Sequence, residues 1–337
     1  MNAPDKILLG HGSGGRLSRE LVEQVFLKSF FNPALAPLED SAEVRAGGAR
    51  LAFTTDSYVV TPVEFPGGDI GRVAVCGTVN DLSVKGARPA ALSAGFILEE
   101  GFPVALLRRI TASMRRAAEE AGVKIVTGDT KVVEKGHADG VFINTSGIGV
   151  IPAGRDLTSA SVRHGDAIIV SGNLADHGVA VMNARNKLGL SGGVKSDASP
   201  LNGLVETALS ASKGIRAIRD ITRGGLATVL NEVSGSCGLS AELEEDSVPV
   251  SAAAKNACAL LGLDPLYVAN EGKIVLFADP RRAEMIVKAM RRHKYGRNAV
   301  VAGRMLKDKH PQVRLNTSIG GSRILLMLEG EQLPRIC

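Results

Sequence analysis

Short apolar runs with strand character alternate with stretches of helical period along the whole chain, and this interleaving restricts it to folds that mix sheet and helix. The helical period predicts helices over residues 17–31, 69–85, 103–121, 177–187, 201–213, 224–234 and 281–292. Residues 103–121 are the clearest, with Pro103 in the first turn, Val104, Leu107 and Ile110 on one face, and Gly122 as the stop. Strands are expected over 51–55 and 58–61, around an Asp-Ser turn, and over 123–127, 141–150, 167–171, 274–278, 300–303 and 323–328. Residues 189–199 (GLSGGVKSDAS) read as a loop. Pro152-Ala153-Gly154 interrupts regular structure between two halves of similar style. The expected fold is therefore α+β, close to α/β, in two domains, 1–152 and 153–328, followed by a tail over 329–337.

Composition excludes several function classes. The residues are 45% hydrophobic and 22% charged, which is material for an ordinary core. Forty Lys and Arg against 35 Asp and Glu leave a surplus of five, too small to imply nucleic acid. With no Trp and three Tyr, platforms for stacking bases are few. No apolar run is long enough to cross a bilayer. No basic stretch followed by a long apolar one opens the sequence, so no secretory signal is expected. Cys76, Cys237, Cys258 and Cys337 form no C-x-x-C pair, and such scattered cysteines suit a reducing cytoplasm. The first three sit among small or apolar neighbours and are expected to be packing residues.

Residues His11, Gly12, Ser13, Gly14 and Gly15 precede a helix, where glycines let backbone N–H groups approach an anion. The Gly-Lys-Ser/Thr ending of a P-loop is missing. Asp56 is placed directly after a strand, Asp81 beside Asn80 near a helix end, Asp129 after a strand in Gly128-Asp129-Thr130, and Asp220 before Thr222-Arg223-Gly224-Gly225. Taken singly, each aspartate reads best as a cap or turn residue. Together, the Gly-Asp-Thr and Arg-Gly-Gly settings favour a phosphate site, with Mg²⁺ shared between carboxylates and phosphates. Lys131 would share a strand face with Asp129, while Glu134 and Glu271 are carboxylates able to take a proton.

The least usual feature is the end of the sequence, Glu331-Gln332-Leu333-Pro334-Arg335-Ile336-Cys337. Fully extended, these residues reach about 24 Å at roughly 3.4 Å each, enough to carry the Cys337 thiol into a site. A prenylation box would need three residues beyond the cysteine.

The segments HGSGG at 11–15, TTDSYVVTP at 54–62, FPGGDIGRVAVCGTVNDL at 65–82, EEGFP at 99–103, GDTKVV at 128–133, TRGGLATVLNE at 222–232, NEGK at 270–273 and PRIC at 334–337 together resemble the HypE family. These are the carbamoyl dehydratases of NiFe-hydrogenase maturation, within the PurM-like ATP-binding superfamily. The resemblance implies a PurM-like N-terminal α/β domain that pairs with a second copy, giving a homodimer with a barrel at the interface, and a C-terminal α+β domain. It implies that Asp56, Asp81 and Asp129 hold Mg²⁺ and the phosphates of ATP, with residues 11–15 closing over them and Asn80 and Asp220 nearby. The implied reaction converts an S-carbamoyl group on Cys337 into a thiocyanate, supplying cyanide for hydrogenase iron. Lys131 would stabilise the transferring phosphoryl group, with Glu271 first and Glu134 second as base. Implied partners are the carbamoyltransferase HypF and a HypC–HypD complex. Competing readings are a selenophosphate or aminoimidazole ribonucleotide synthetase, or a non-catalytic scaffold. The first would want a reactive cysteine near the N-terminal glycines, where this chain has none, and the second gives no reason for a terminal thiol.

Overall fold

The computed structural model describes residues 6–189 and 193–330. It begins with one helical arm, α1 (Arg16–Leu21), which runs through a π turn (Val22–Phe26) into α2 (Leu27–Phe30). A five-stranded sheet follows, built from β1 (Ala42–Ala46), β2 (Ala49–Tyr58), β5 (Arg88–Glu99), β6 (Lys124–Val133) and β7 (Val141–Val150) in the order β1-β2-β7-β5-β6. The small hairpin β3 (Glu64–Phe65) and β4 (Gly68–Asp69) leads into α3 (Ile70–Val84). Helix α4 (Val104–Ala121) carries the chain from β5 to its parallel neighbour β6. Pro103 is the N-cap of α4 rather than a member of it, and Gly122 ends it in the left-handed conformation.

The second half contains β8 (Ala167–Val170), α5 (Asp176–Asn186), α6 (Asn202–Ala211), β9 (Ile215–Asp220), α7 (Gly225–Cys237), β10 (Ser240–Glu244), α8 (Ala252–Leu261), β11 (Ile274–Ala278), α9 (Pro280–Met290), β12 (Val300–Leu306), β13 (Val313–Asn316) and β14 (Ser322–Ile324). Its sheet runs β14-β13-β10-β12-β8-β11-β9. The mixed fold is as expected, and most helices lie where their period placed them.

Two strand boundaries matter for the site. Residues 49–58 form one strand, so no turn interrupts it at Asp56-Ser57. The strand expected over 123–127 extends to Val133 and is exposed along nearly all its length, because β6 is an edge. The inner strand β5 has no clean alternation of polar and apolar residues, and the sequence left it unassigned. Sheet pairing on both sides, with β7 and β6, forms it nonetheless.

Helix α3 is the pivot. Thirteen of its 15 residues are buried, the pattern of a helix enclosed on all sides. Asp69 caps it by accepting from the N–H groups of Gly71 and Arg72. It packs on the first sheet and on α4, and also touches β9 and α6 of the second half. One apolar cluster accordingly spans both halves, from Ala52 through Val79 and Leu82 to Val179, Met182 and Val268. Close approach of α3 to α4 requires Gly71: a Cβ there would lie 2.6 Å from the Ile110 carbonyl oxygen and 2.8 Å from Met114 Cγ. Gly71→Ala is therefore expected to cost about 1–3 kcal/mol by overpacking, read as a lower denaturation midpoint. An unchanged midpoint would contradict so tight a crossing.

Candidate functional site

Along β2 burial alternates, so Ala52, Thr54 and Asp56 face α3 while Phe53, Thr55 and Ser57 face the other way. From α3, Asp81 enters the same space, and β9 ends there at Asp220. The Thr54 hydroxyl lies 2.7 Å from Asp81 Oδ2, and the Tyr58 hydroxyl donates to Asp56 Oδ2 at 3.1 Å. Burial, then the charges of Asp56, Asp220 and Asp40, push the Asp81 carboxyl well above its ordinary range. Burial and then Asp40 do the same to Asp220, with Arg219 opposing. Arg219 bridges Asp40 at 2.8 Å and Glu232 at 2.9 Å. Burial nevertheless lifts Asp40 to about 6.

Several carboxylates thus face one another with Arg219 as their neutralising neighbour, an arrangement that a divalent cation would relieve. The donor set of hard oxygens suits Mg²⁺. Among the described residues no three acidic, His or Cys side chains form a finished metal cage.

The structure separates residues that the sequence placed together. Asp56 pairs with Thr145, Thr145 with Ala94, and Ala94 with Gly128, so Asp129 lies three strands away, about 14 Å at the usual strand spacing. Asp129 also pairs with Gly95 and points to the face opposite Asp56. Asp56, Asp81 and Asp129 therefore do not meet within one chain. The physical reason is that β6 continues through Asp129 instead of ending before it, and alternation turns that side chain outward. Lys131 does share its face and pairs with it at 3.0 Å, both 71% exposed. Glu134 lies beyond β6, 84% exposed and 3.8 Å from His137, away from the acidic pocket. Glu271 is buried, close enough to raise Tyr58 and Asp220. The Asn80 amide is used inside the protein, donating to the Ser199 carbonyl at 3.1 Å and accepting from Leu201 N–H at 2.7 Å.

The glycine-rich segment packs on the 222–224 turn and on the root of the tail. A Cβ at Gly14 would lie 2.7 Å from Arg223 Cβ, and one at Gly15 would lie 2.2 Å from the Leu328 carbonyl oxygen. Arg223 Nη1 donates to the Gly12 carbonyl at 3.0 Å, and Arg16 N–H to that of Leu328 at 2.9 Å. His11 Nδ1 accepts from Leu8 N–H at 2.9 Å, and the Ser13 hydroxyl lies 3.4 Å from the Leu9 carbonyl. Beneath the arm opens a cleft of about 1480 Å³, bordered by Gly14, Gly15, Asp40, Thr54, Arg219 and Arg223. Cys337 lies outside the described residues.

Two family models match the chain: AIR synthase related protein, N-terminal domain, over residues 38–151, and its C-terminal domain over 163–316. A carbamoyl dehydratase HypE of Rhodobacter capsulatus is 53% identical over 99% of this chain and 98% of its own length. The chain belongs to the HypE family. Its fold is the PurM-like arrangement of that family. A crystal structure of HypE in complex with ATP is 47% identical, covers 98% of this chain and all of its own, and has a TM-score of 0.83. A HypE–HypF complex is 46% identical over 92% of this chain and 99% of its own, with a TM-score of 0.86.

Sequence reasoning gave no role to Asp40, Thr54, Tyr58, Arg219 or Glu232, although Thr54, Tyr58 and Glu232 lie inside the motif segments. Arg219 shares its strand with Arg216 and Asp220, so its charge did not stand out locally. The raised carboxyls carry a stability consequence. The folded state keeps protons that the unfolded chain releases as pH rises past about 4. The cost is absent below that pH and grows until the raised values are passed. Asp81→Asn should therefore stabilise the metal-free protein at pH 8, on the order of 1 kcal/mol, and the gain should shrink towards pH 4. Urea midpoints at both pH values test this, and a less stable variant at pH 8 would refute the stored repulsion.

Proposed function

We propose that the protein is an ATP-dependent carbamoyl dehydratase whose substrate is the S-carbamoyl group of its own Cys337. The observation that carries this reading is the contact of the tail root with the glycine-rich arm. Leu328 sits on Gly15 and Arg16, and Glu329 lies 3.6 Å from Arg16, at the mouth of the cleft that borders Asp40 and Arg219. The last described residues before Cys337 thus lie at a cleft that Asp40, Thr54 and Arg219 border.

An amide oxygen is a poor leaving group. Transfer of the γ-phosphoryl group of ATP to the carbamoyl oxygen forms a C–O–P linkage and frees ADP. The nitrogen then gives up both protons, the C–O bond breaks with release of phosphate, and S–C≡N remains. Bound Mg²⁺ supplies charge neutralisation for the phosphates, and Asp56 and Asp81, with Asp220 nearby, would hold it. His11 to Gly15 would close over the phosphates. Glu271, buried beside Asp220, is the favoured base. Asn80 fixes α3 and so the direction of Asp81.

Asp129 and Lys131 act in this reading from a second copy. The face that carries them also exposes Phe53, Ile97, Ile148 and Val150, and their own strand, the edge β6, exposes Val126 and Val132. Such an edge and apolar face favour pairing, and a homodimer would bring Lys131 to a transferring phosphoryl group. Partners of the cycle would be HypF, which loads the thiol, and a HypC–HypD complex, which takes the cyanide.

Deleting Cys337 alone should abolish the ATP-dependent loss of water seen by mass spectrometry of the carbamoylated C-terminal peptide, with ATP affinity changed less than about threefold. Retained support of hydrogenase maturation by the deletion variant would overturn the assignment. Val132→Arg is expected to convert the dimer to monomer in light scattering. A monomeric parent protein would remove the role given to Lys131.

A further inference from the structure

Asp197 stands between α5 and α6, outside every role assigned so far. One oxygen of its carboxylate accepts the Glu271 N–H at 3.0 Å, and the other accepts Lys273 Nζ at 2.8 Å. Lys273 Nζ also donates to the Gly272 carbonyl at 3.2 Å. Contact with the backbone is so close that a Cβ at Gly272 would lie 1.9 Å from the Asp197 carbonyl oxygen. The Glu271 carbonyl is held from elsewhere, by Asn80 Nδ2 at 3.4 Å and Ser199 N–H at 3.4 Å. Both backbone polar groups of Glu271 are therefore fixed. One bond goes to Asp197, and one comes from α3, a single residue before Asp81.

The segment that carries Asp197 is itself pinned. Ser196 N–H donates to the Pro66 carbonyl at 2.8 Å, and Ser196 Oγ lies 2.8 Å from Nδ1 of the buried His177. His177 in turn meets the Phe65 ring edge-on at 5.5 Å. Burial would raise the Asp197 carboxyl, but Lys273 and then His177 outweigh it and hold it below its ordinary range. Buried ion pairs are poor net stabilisers, so one that grips three consecutive residues beside a functional pocket calls for a specific reason.

We propose that Asp197 is a positioning residue for Glu271, fixing its backbone so that its carboxylate stays beside Asp220 and at constant distance from Asp81. The inference rests on the reading of Glu271 as the base. A backbone held at both N–H and C=O cannot swing its Cα–Cβ bond to a new direction without breaking a buried hydrogen bond, and small misplacements of a reacting group are costly in rate.

Two double variants isolate this effect: Asp197→Asn with Lys273→Met, and Asp197→Ala with Lys273→Met. Both lack the ion pair, so neither leaves a buried charge unpaired, and they differ in the acceptor for the Glu271 N–H. The measurement is single-turnover dehydration of the S-carbamoylated full chain with Mg-ATP, followed by the mass of the C-terminal peptide. The Asn variant should stay within about threefold of the parent and the Ala variant fall at least about tenfold, both with ATP KM shifted less than about threefold. Asp197→Ser with Lys273→Met, also too short to reach, carries the same expectation as Ala and serves should the Ala variant not fold. In a Glu271→Gln background the gap between Asn and Ala should vanish, because residues acting as a unit are not additive. Equal rates for Asn and Ala with Glu271 present, or a gap that persists without it, would overturn the positioning role. A parental rate for Glu271→Gln alone would instead bring down the base assignment, and the inference with it.

Discussion

Carboxylates held together away from water repel one another, and the whole pocket is organised around that repulsion. Asp81 reaches in from a helix buried on nearly every side, Asp56 from a strand, and Asp220 from the end of a strand in the other half. Arg219 offsets part of the charge through Asp40 and Glu232, yet Asp40, Asp81 and Asp220 still keep their protons to unusually high pH. Such a site is stable enough to fold and unsatisfied enough to bind. A cation with phosphate oxygens would supply what the protein withholds.

Rigidity is the counterpart of that strain. Gly71 lets α4 approach α3, and Gly272 lets the Asp197 segment lie against the chain next to Glu271. These contacts are backbone against backbone, and they leave the acidic side chains little room to relax apart. The apolar cluster shared by both halves serves the same end, because a loose joint would let Asp220 drift from Asp81.

Much of this was legible beforehand. Helices such as α4 announced themselves by period, a capping proline and a terminal glycine. The motif-bearing aspartates were visible because Gly-Asp-Thr and Arg-Gly-Gly are unusual settings for cap residues. What misled was strand length. Treating Asp56 and Asp129 as residues just past strand ends made both look free to point inward, whereas continuous pairing on β2 and β6 sends them to opposite faces. Glu271 and Glu134, the first and second candidate bases in the sequence, turned out to differ sharply in burial.

The residue order by itself determined the fold class, the family and the short list of groups able to handle a phosphate, since period, turn chemistry and motif spacing are local properties of a chain. It could not determine which of those groups share a pocket. That depended on sheet order, on strand register and on the way α3 is enclosed by both halves, all set by pairings between segments distant in sequence. Asp40, Arg219 and Asp197 carry no local signal. Their importance comes from where tertiary packing places them, because a buried charge takes its meaning from the charges and backbone groups within a few ångströms of it.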